Sequence, residues 1–386
     1  MASDRQSRVR DAVEGTPLKA LIVRIGAMGD VLHGLPAVAA LRERLPDWFI
    51  GWAIEPQWSA LLAADSESPT DQSVPVDRSR MPIVDRIHMV PARQWKQHPF
   101  SPATLGGILA LRREMQAEEY DVCIDLQGSI KSAVIGRLAG ATRFLGPKEP
   151  RERQARMLYR ELVAVQAAHV IEQACELLDV ALTDTWDPVN ELRPMKVTLP
   201  LDPAAESWCE SRLQELGVGG EGFVLLAPTA GWGAKQWPIE KYRELAQRLH
   251  DAGYSVLVNA GGAQDRPVAD AVASAGSGQV VECGLAQLIA LTRRAKLVVG
   301  GDTGPVHLAS ALGVPVVGLY GPTDPQRNGP CFPGSRCRVL RHASSRSDHR
   351  RHAETEAGLA KITVDEVVAA AFGLLQTPGV EVNSNA

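Results

Sequence analysis

In RIGAMGDVLHGLPAV, residues 24–38, an apolar run ends in a glycine turn, as in a nucleotide-binding protein. Yet an acid, Asp30, stands where the next helix should start. A helix N-terminus carries partial positive charge and free N–H groups, so it favours an anion. Asp30 would repel a phosphate bound there. The carboxylate has two readings. It is a helix cap, or it is a general base that the helix dipole keeps charged, with Gly26 and Gly29 leaving room for an acceptor hydroxyl.

Two later turns have the opposite character. In VVGGDTGPVHLASALGVPVVGLYG, residues 298–321, a buried strand ends in Gly300-Gly301, and Asp302-Thr303-Gly304 leads into a helix opened by Pro305. Free N–H groups and the Thr303 hydroxyl at that terminus suit an anion such as a diphosphate. His307, three residues after Gly304, either faces the same ligand or serves the core. DTG is also the aspartic-protease tripeptide, but those enzymes are all-β and need two such carboxylates. Here one DTG sits in a strand–helix unit. APTAGWGAKQWPIEKY, residues 227–242, repeats the geometry. Its Gly/Ala loop presents Lys235 ahead of a helix opened by Pro238, as a phosphate partner or as a solvated lysine. DLQGSIKSAVIGRLAG, residues 125–140, places Gln127, Lys131 and Arg137 at or just after the C-terminal edge of a parallel sheet. Open α/β sheets bind ligands along that edge.

No D-x-D occurs, so the positive charge for a diphosphate falls to Lys235 and helix termini, and no metal or cofactor is expected. The first strand is not followed by G-x-G-x-x-G, and no acid is placed to hold a dinucleotide ribose, which argues against a dehydrogenase. Residues 336–356 read as a charged, His-containing surface loop whose spacing fits no zinc site.

These turns need a scaffold. Strands are expected at LKALIVRIG, WFIGWAI, VDRIHMV and YDVCIDL, with helices between most of them, DVLHGLPAVAALRERL among them; that helix must begin near Pro36 or accommodate it. Residues 65–82 read as a polar loop. Four prolines interrupt residues 183–203, the expected linker between an N-terminal domain, 1–190, and a C-terminal domain, 200–386. Alternation then restarts with FVLLAP, YSVLVNAGG, QVVECG, KLVVGGD and VPVVGLYG, and the chain closes on ITVDEVVAAAFGLL, opened by a Thr363–Glu366 capping box. The fold class is α/β: two Rossmann-like domains with parallel sheets facing a central cleft.

The bulk numbers agree. The 386 residues are 45% apolar and 22% charged, long enough for two domains. A net charge of −4 excludes a general nucleic-acid binder. Between Lys131 and Arg160, eight Lys/Arg face only Glu149 and Glu152, a patch for an anionic partner or a solvated helix face. Six cysteines without a C-x-x-C suggest a reducing cytoplasm, with Cys123 and Cys283 as buried thiols. The polar N-terminus has no signal-peptide core and no apolar run nears about 18 residues, so the protein is expected to be soluble and any membrane contact peripheral.

Taken in order, GAMGDVLHGLPA, DLQGSIKS, KQWP and GGDTGPVHLASALGVPVVGLYGPTDP resemble the bacterial lipopolysaccharide heptosyltransferases, glycosyltransferase family 9, over nearly the whole chain. Arg93-Gln94-Trp95-Lys96, DLQGxxKS and Arg151-Glu152 are most similar to its heptosyltransferase I branch. The resemblance implies the GT-B architecture and an inverting, metal-independent transfer from ADP-heptose to Kdo-lipid A, at the cytoplasmic face of the inner membrane. It implies Asp30 as the base, with Thr229, Lys235, Asp302, Thr303, Gly304 and His307 on the donor. It places Arg93, Lys96, Gln127, Lys131, Arg137 and Arg151 on the acceptor, with residues 93–97 as a loop able to close over it. The loop TAGWGAK leaves open which residue donates a hydroxyl, Thr229 being one candidate. Gln264 and Asp265 stand where an acid would hold the ribose. Three rivals remain: a related family glycosyltransferase with another donor sugar or acceptor; a nucleotide-sugar epimerase of the same architecture, which needs further acid/base groups in the donor pocket; and a non-catalytic nucleotide-sugar binder, for which Asp30 and the basic patch have no purpose.

Overall fold

Buried β-branched and aliphatic runs build the protein. In the computed structural model, described over residues 17–64, 76–182, 191–218, 222–274, 276–347 and 352–376, the chain divides into two units between Asp202 and Pro203. Residues 183–190 of the expected linker, and residues 65–75 of the expected polar loop, lie outside the described residues.

Among the described residues, the first unit holds a six-stranded sheet: β1 (Lys19–Val23), β2 (Phe49–Ile54), β3 (Arg86–Met89), β4 (Val122–Asp125), β5 (Arg143–Pro147) and β6 (Glu161–Val163), ordered β3-β2-β1-β4-β5-β6. All pairings are parallel, with Val23 opposite Asp125 where β1 meets β4. The second unit holds β7 (Phe223–Ala227), β8 (Ser255–Ala260), β9 (Gln279–Glu282), β10 (Leu297–Gly301), β11 (Val316–Tyr320) and β12 (Cys337–Arg341), ordered β12-β11-β10-β7-β8-β9. Numbered within its unit, this is the same doubly wound order. In such sheets the strand order reverses beside the first strand, and ligands bind there, outside the strands' C-terminal ends. The reversal falls between β1 and β4 in one unit and between β7 and β10 in the other.

Helices cover the sheets. Helix Met28–Arg44 contains Pro36 without breaking, and the Pro36 carbonyl accepts from the Met195 N–H at 3.1 Å. Helix Val364–Leu375 opens with the expected reciprocal cap: Glu366 Oε2 accepts from the Thr363 N–H at 2.7 Å, and Thr363 Oγ1 from the Glu366 N–H at 3.2 Å. Three strands, β5, β6 and β12, were not expected from the sequence. β12 lies inside the stretch read as a surface loop; it pairs with β11 along one side only, so its arginines reach solvent and hide the strand pattern. Residues 93–97 are not a loop either. They form most of a short helix, Ala92–Gln97, pinned where the Arg93 N–H donates to Glu55 Oε1 at 2.8 Å. Cys123 is buried as expected, whereas Cys283 is half-buried.

Candidate active site

Both switch points gather polar side chains. In the first unit, β1 ends at Val23 and the buried Arg24 follows. Its guanidinium donates to two carbonyls, that of Asp30 at the start of the next helix and that of Leu126 after β4. Arg24 thus ties the two strands' ends together across the reversal. Asp30 lies in the first turn of helix Met28–Arg44, whose N-cap is Ala27, and Asp30 Oδ2 accepts from the Ala27 N–H at 3.1 Å. Asp30 is thus not the N-cap itself but the acid one turn on that caps the Ala27 N–H. The carboxylate stays 36% exposed, with Arg24 Nη2 at 3.8 Å from Oδ1 and Arg151 Nη1 at 3.9 Å from Oδ2. The room expected beside Gly26 is taken: the Trp58 indole packs against it, 2.6 Å from where a Cβ would lie.

The DLQG turn after β4 is organised by an acid absent from the sequence-derived site. Asp125 is fully buried, and its carboxylate accepts from the N–H groups of Gln127 (2.8 Å) and Gly128 (3.1 Å) and from the hydroxyls of Ser132 and Tyr159 (both 2.8 Å). Burial raises its pKa against the opposing pull of these bonds. Gln127 Oε1 in turn accepts from the Ile25 N–H at 2.8 Å. Gly128 has φ +67°, and a side chain there would press on the Arg151 backbone, 3.1 Å from its Cβ. Glycine at 128 is what lets Arg151 approach Asp30.

The remaining basic residues spread out. Arg93 lies near Glu55 (3.8 Å) and donates to Gln57 at 3.0 Å, while Lys96, Lys131 and Arg137 are exposed. Among the described residues, none of these four is bonded to Asp30.

In the second unit, the loops after β7 and β10 interlock. A Cβ at Gly301 would lie 2.6 Å from the Lys235 carbonyl, so only glycine lets the two backbones meet. Lys235 Nζ sits 2.5 Å from Asp302 Oδ2 and 5.3 Å over the Trp232 ring; His307 Nε2 lies 3.0 Å from Asp302 Oδ1. Burial alone would raise the Asp302 carboxyl, but the His307 bond and the Lys235 charge outweigh it and hold the carboxyl well below the usual range. Asp302 therefore uses both oxygens to orient a cation and a histidine. Thr303 caps helix Gly304–Ala311 without a side-chain bond; its Oγ1 is buried with no partner among the described residues. Such hydroxyls ordinarily find one. Thr229 is half-buried after β7, Gln264 is exposed, and Asp265 caps helix Arg266–Ala273.

Two doubly wound units of one topology, each with chemistry at its switch point, are the architecture of a GT-B glycosyltransferase. Residues 108–357 match glycosyltransferase family 9 (heptosyltransferase). The chain is 30% identical over 323 residues to lipopolysaccharide heptosyltransferase 1 of Escherichia coli K12, covering 80% of this chain and 89% of that one. It is 28% identical over 317 residues to lipopolysaccharide heptosyltransferase 1 of Pseudomonas aeruginosa, covering 81% of each. The structure of the E. coli heptosyltransferase WaaC with ADP-2-deoxy-2-fluoro heptose matches with a TM-score of 0.69 and 25% identity, over 92% of this chain and 99% of that one. The chain belongs to glycosyltransferase family 9 and is an enzyme of the heptosyltransferase kind.

Proposed function

We propose that this enzyme moves L-glycero-D-manno-heptose from ADP-heptose to Kdo-lipid A in lipopolysaccharide inner-core synthesis, inverting the anomeric centre without a metal, at the cytoplasmic face of the inner membrane. The relatives' name supports a lipopolysaccharide acceptor, and the sugar nucleotide analogue named with the WaaC structure supports the donor. One observation carries the mechanism. Of the three acids at the switch points, Asp125 and Asp302 are saturated by partners, while Asp30 keeps an open carboxylate.

In this reading Asp30 takes the proton of the acceptor hydroxyl as its oxygen bonds to the anomeric carbon and the bond to ADP breaks on the opposite side. Lys235 has three donors and spends one on Asp302, leaving others for the diphosphate. The Thr303 hydroxyl and the N–H groups opening helix Gly304–Ala311 add neutral donors. Arg151, beside the base, and the NH2 of Gln127 receive acidic groups of the acceptor, with Arg93, Lys96, Lys131 and Arg137 further out. Incubating the chain with ADP-heptose and Kdo-lipid A in EDTA tests this. One added heptose of inverted configuration, with ADP released, is expected; no transfer, or a strict need for Mg²⁺, overturns it.

A further inference from the structure

One layer of the first unit leaves its outer face uncovered. Helix Ile130–Ala139 buries Ala133, Ile135 and Ala139 against the sheet, while Ile130 and Val134 are exposed beside Lys131 and Arg137. Its neighbour, helix Pro102–Ala117, is joined to it where Gln116 Nε2 donates to the Leu138 carbonyl at 3.2 Å. That helix buries Leu111 and Met115 and exposes Leu105, Leu109 and Arg112. Both helices thus repeat one spacing: apolar at i and i+4, arginine at i+7, which is one stripe along a helix. Segment Arg153–Leu158 packs on the first of them and exposes Met157 (79%) directly after the exposed Arg156, with Arg153 exposed at its start, and Phe100, just ahead of the second, is 89% exposed.

Acid is nearly missing from this layer. Helix Ile130–Ala139 and segment Arg153–Leu158 contain none; Glu114, the acid of helix Pro102–Ala117, is turned to His88 at 2.6 Å, and Glu152, just ahead of the segment, has Oε2 engaged by the Ile130 N–H at 2.8 Å. We propose that this face seats the enzyme on an anionic phospholipid bilayer, a reading that rests on the lipid-linked acceptor proposed above. Apolar side chains dipping into the headgroup region, with cations beside them on lipid phosphates, are what interfacial binding requires. A second copy fits worse, because self-association through this face sets arginine against arginine. The layer also runs into Arg151, 3.9 Å from Asp30, so a lipid-held hydroxyl on this face is near the base.

Vesicle flotation of the full chain tests the proposal, with phosphatidylcholine alone or mixed with phosphatidylglycerol. Binding is expected to the anionic vesicles only and to weaken with salt. Leu109→Ser with Met157→Ser, and separately Arg112→Gln with Arg156→Gln, should each reduce it about tenfold or more, while both pairs keep the wild-type melting temperature and turnover on a deacylated Kdo acceptor. Wild type that stays off anionic vesicles overturns the proposal, as do variants that float like wild type. So does a wild-type dimer that the apolar pair turns into monomer in sedimentation. Vesicle binding intact with no turnover on the deacylated acceptor instead overturns the proposed reaction alone.

Discussion

Asp30 in the first unit and Asp302 in the second each follow the last residues of a strand flanking the switch point, and each stands at the start of a helix. Their surroundings differ. Asp302 is held at 2.5 and 3.0 Å by a lysine and a histidine. The guanidinium nitrogens around Asp30 stand off at 3.8 and 3.9 Å, and its carboxylate meets solvent. A buried acid with both oxygens engaged is a fixture that aims its partners, and taking a proton would cost it those bonds. An open acid has lone pairs to offer an incoming hydroxyl. The same residue type, after the first strand of one unit and the fourth of the other, on either side of a switch point, thus meets two environments that differ in how many donors reach it.

Neutralising the open acid is expected to have the largest effect. Asp30→Asn should lower turnover by about 10²–10⁴-fold with ADP affinity and melting temperature close to wild type, measured by ADP release, calorimetry and circular dichroism. Turnover retained with stability lost would make Asp30 a cap, and the contrast with Asp302 would collapse. Next comes the cation that Asp302 aims. Lys235→Ala should weaken ADP about 10–100-fold, the worth of a charge-assisted bond, and adenosine much less; equal losses for both ligands would remove Lys235 from the phosphates. Arg151→Ala should raise acceptor KM about tenfold with donor KM unchanged, and added salt should narrow the gap to wild type. An unchanged acceptor KM would leave Arg151 a solvated neighbour of the base.

The smallest effect is on stability against pH. The Asp302 carboxyl is depressed below its ordinary 3.8, so its pairing stabilises the fold fully above that pH and is lost as pH falls towards the folded value. Asp302→Asn should therefore lower the melting temperature at pH 7 by ~3–8 °C, the effect of about 2 kcal/mol, and the gap should begin to narrow as pH falls below about 3.8. A gap constant down to pH 3 would mean that the pair adds nothing through charge. Asp125 bounds the comparison from the other side: burial raises its carboxyl, so its ionised form costs stability increasingly as pH rises from the ordinary value towards the folded one.

The sequence made the turns legible because a strand ending in glycines before Pro305, or a lysine ahead of Pro238, announces itself locally. Lys235, Asp302 and His307 do meet, and Arg151 does reach Asp30. What stayed hidden depends on neighbours remote in the chain. Arg24 looks like any charge at a strand's end until Leu126, 102 positions on, supplies its carbonyl. Asp125 gives no local sign of its role until Tyr159 and Ser132 close over it. Trp58 fills the space at Gly26 from a different strand–helix connection. Strand β6 is three residues long, too short for any periodicity, and β12 is masked by its arginines.

The grip of Arg24 has a mechanical meaning. Proton transfer falls off steeply when a base is displaced by an ångström. By holding the Asp30 carbonyl and the Leu126 carbonyl with one rigid, planar group, Arg24 fixes the proposed base to the turn that follows β4 as well as to its own helix. Lysine at this position keeps the charge but offers no flat fork to span two carbonyls. In the proposed reaction, the stiffness of the distance from Asp30 to its hydroxyl is therefore set at residue 24, in the floor beneath it.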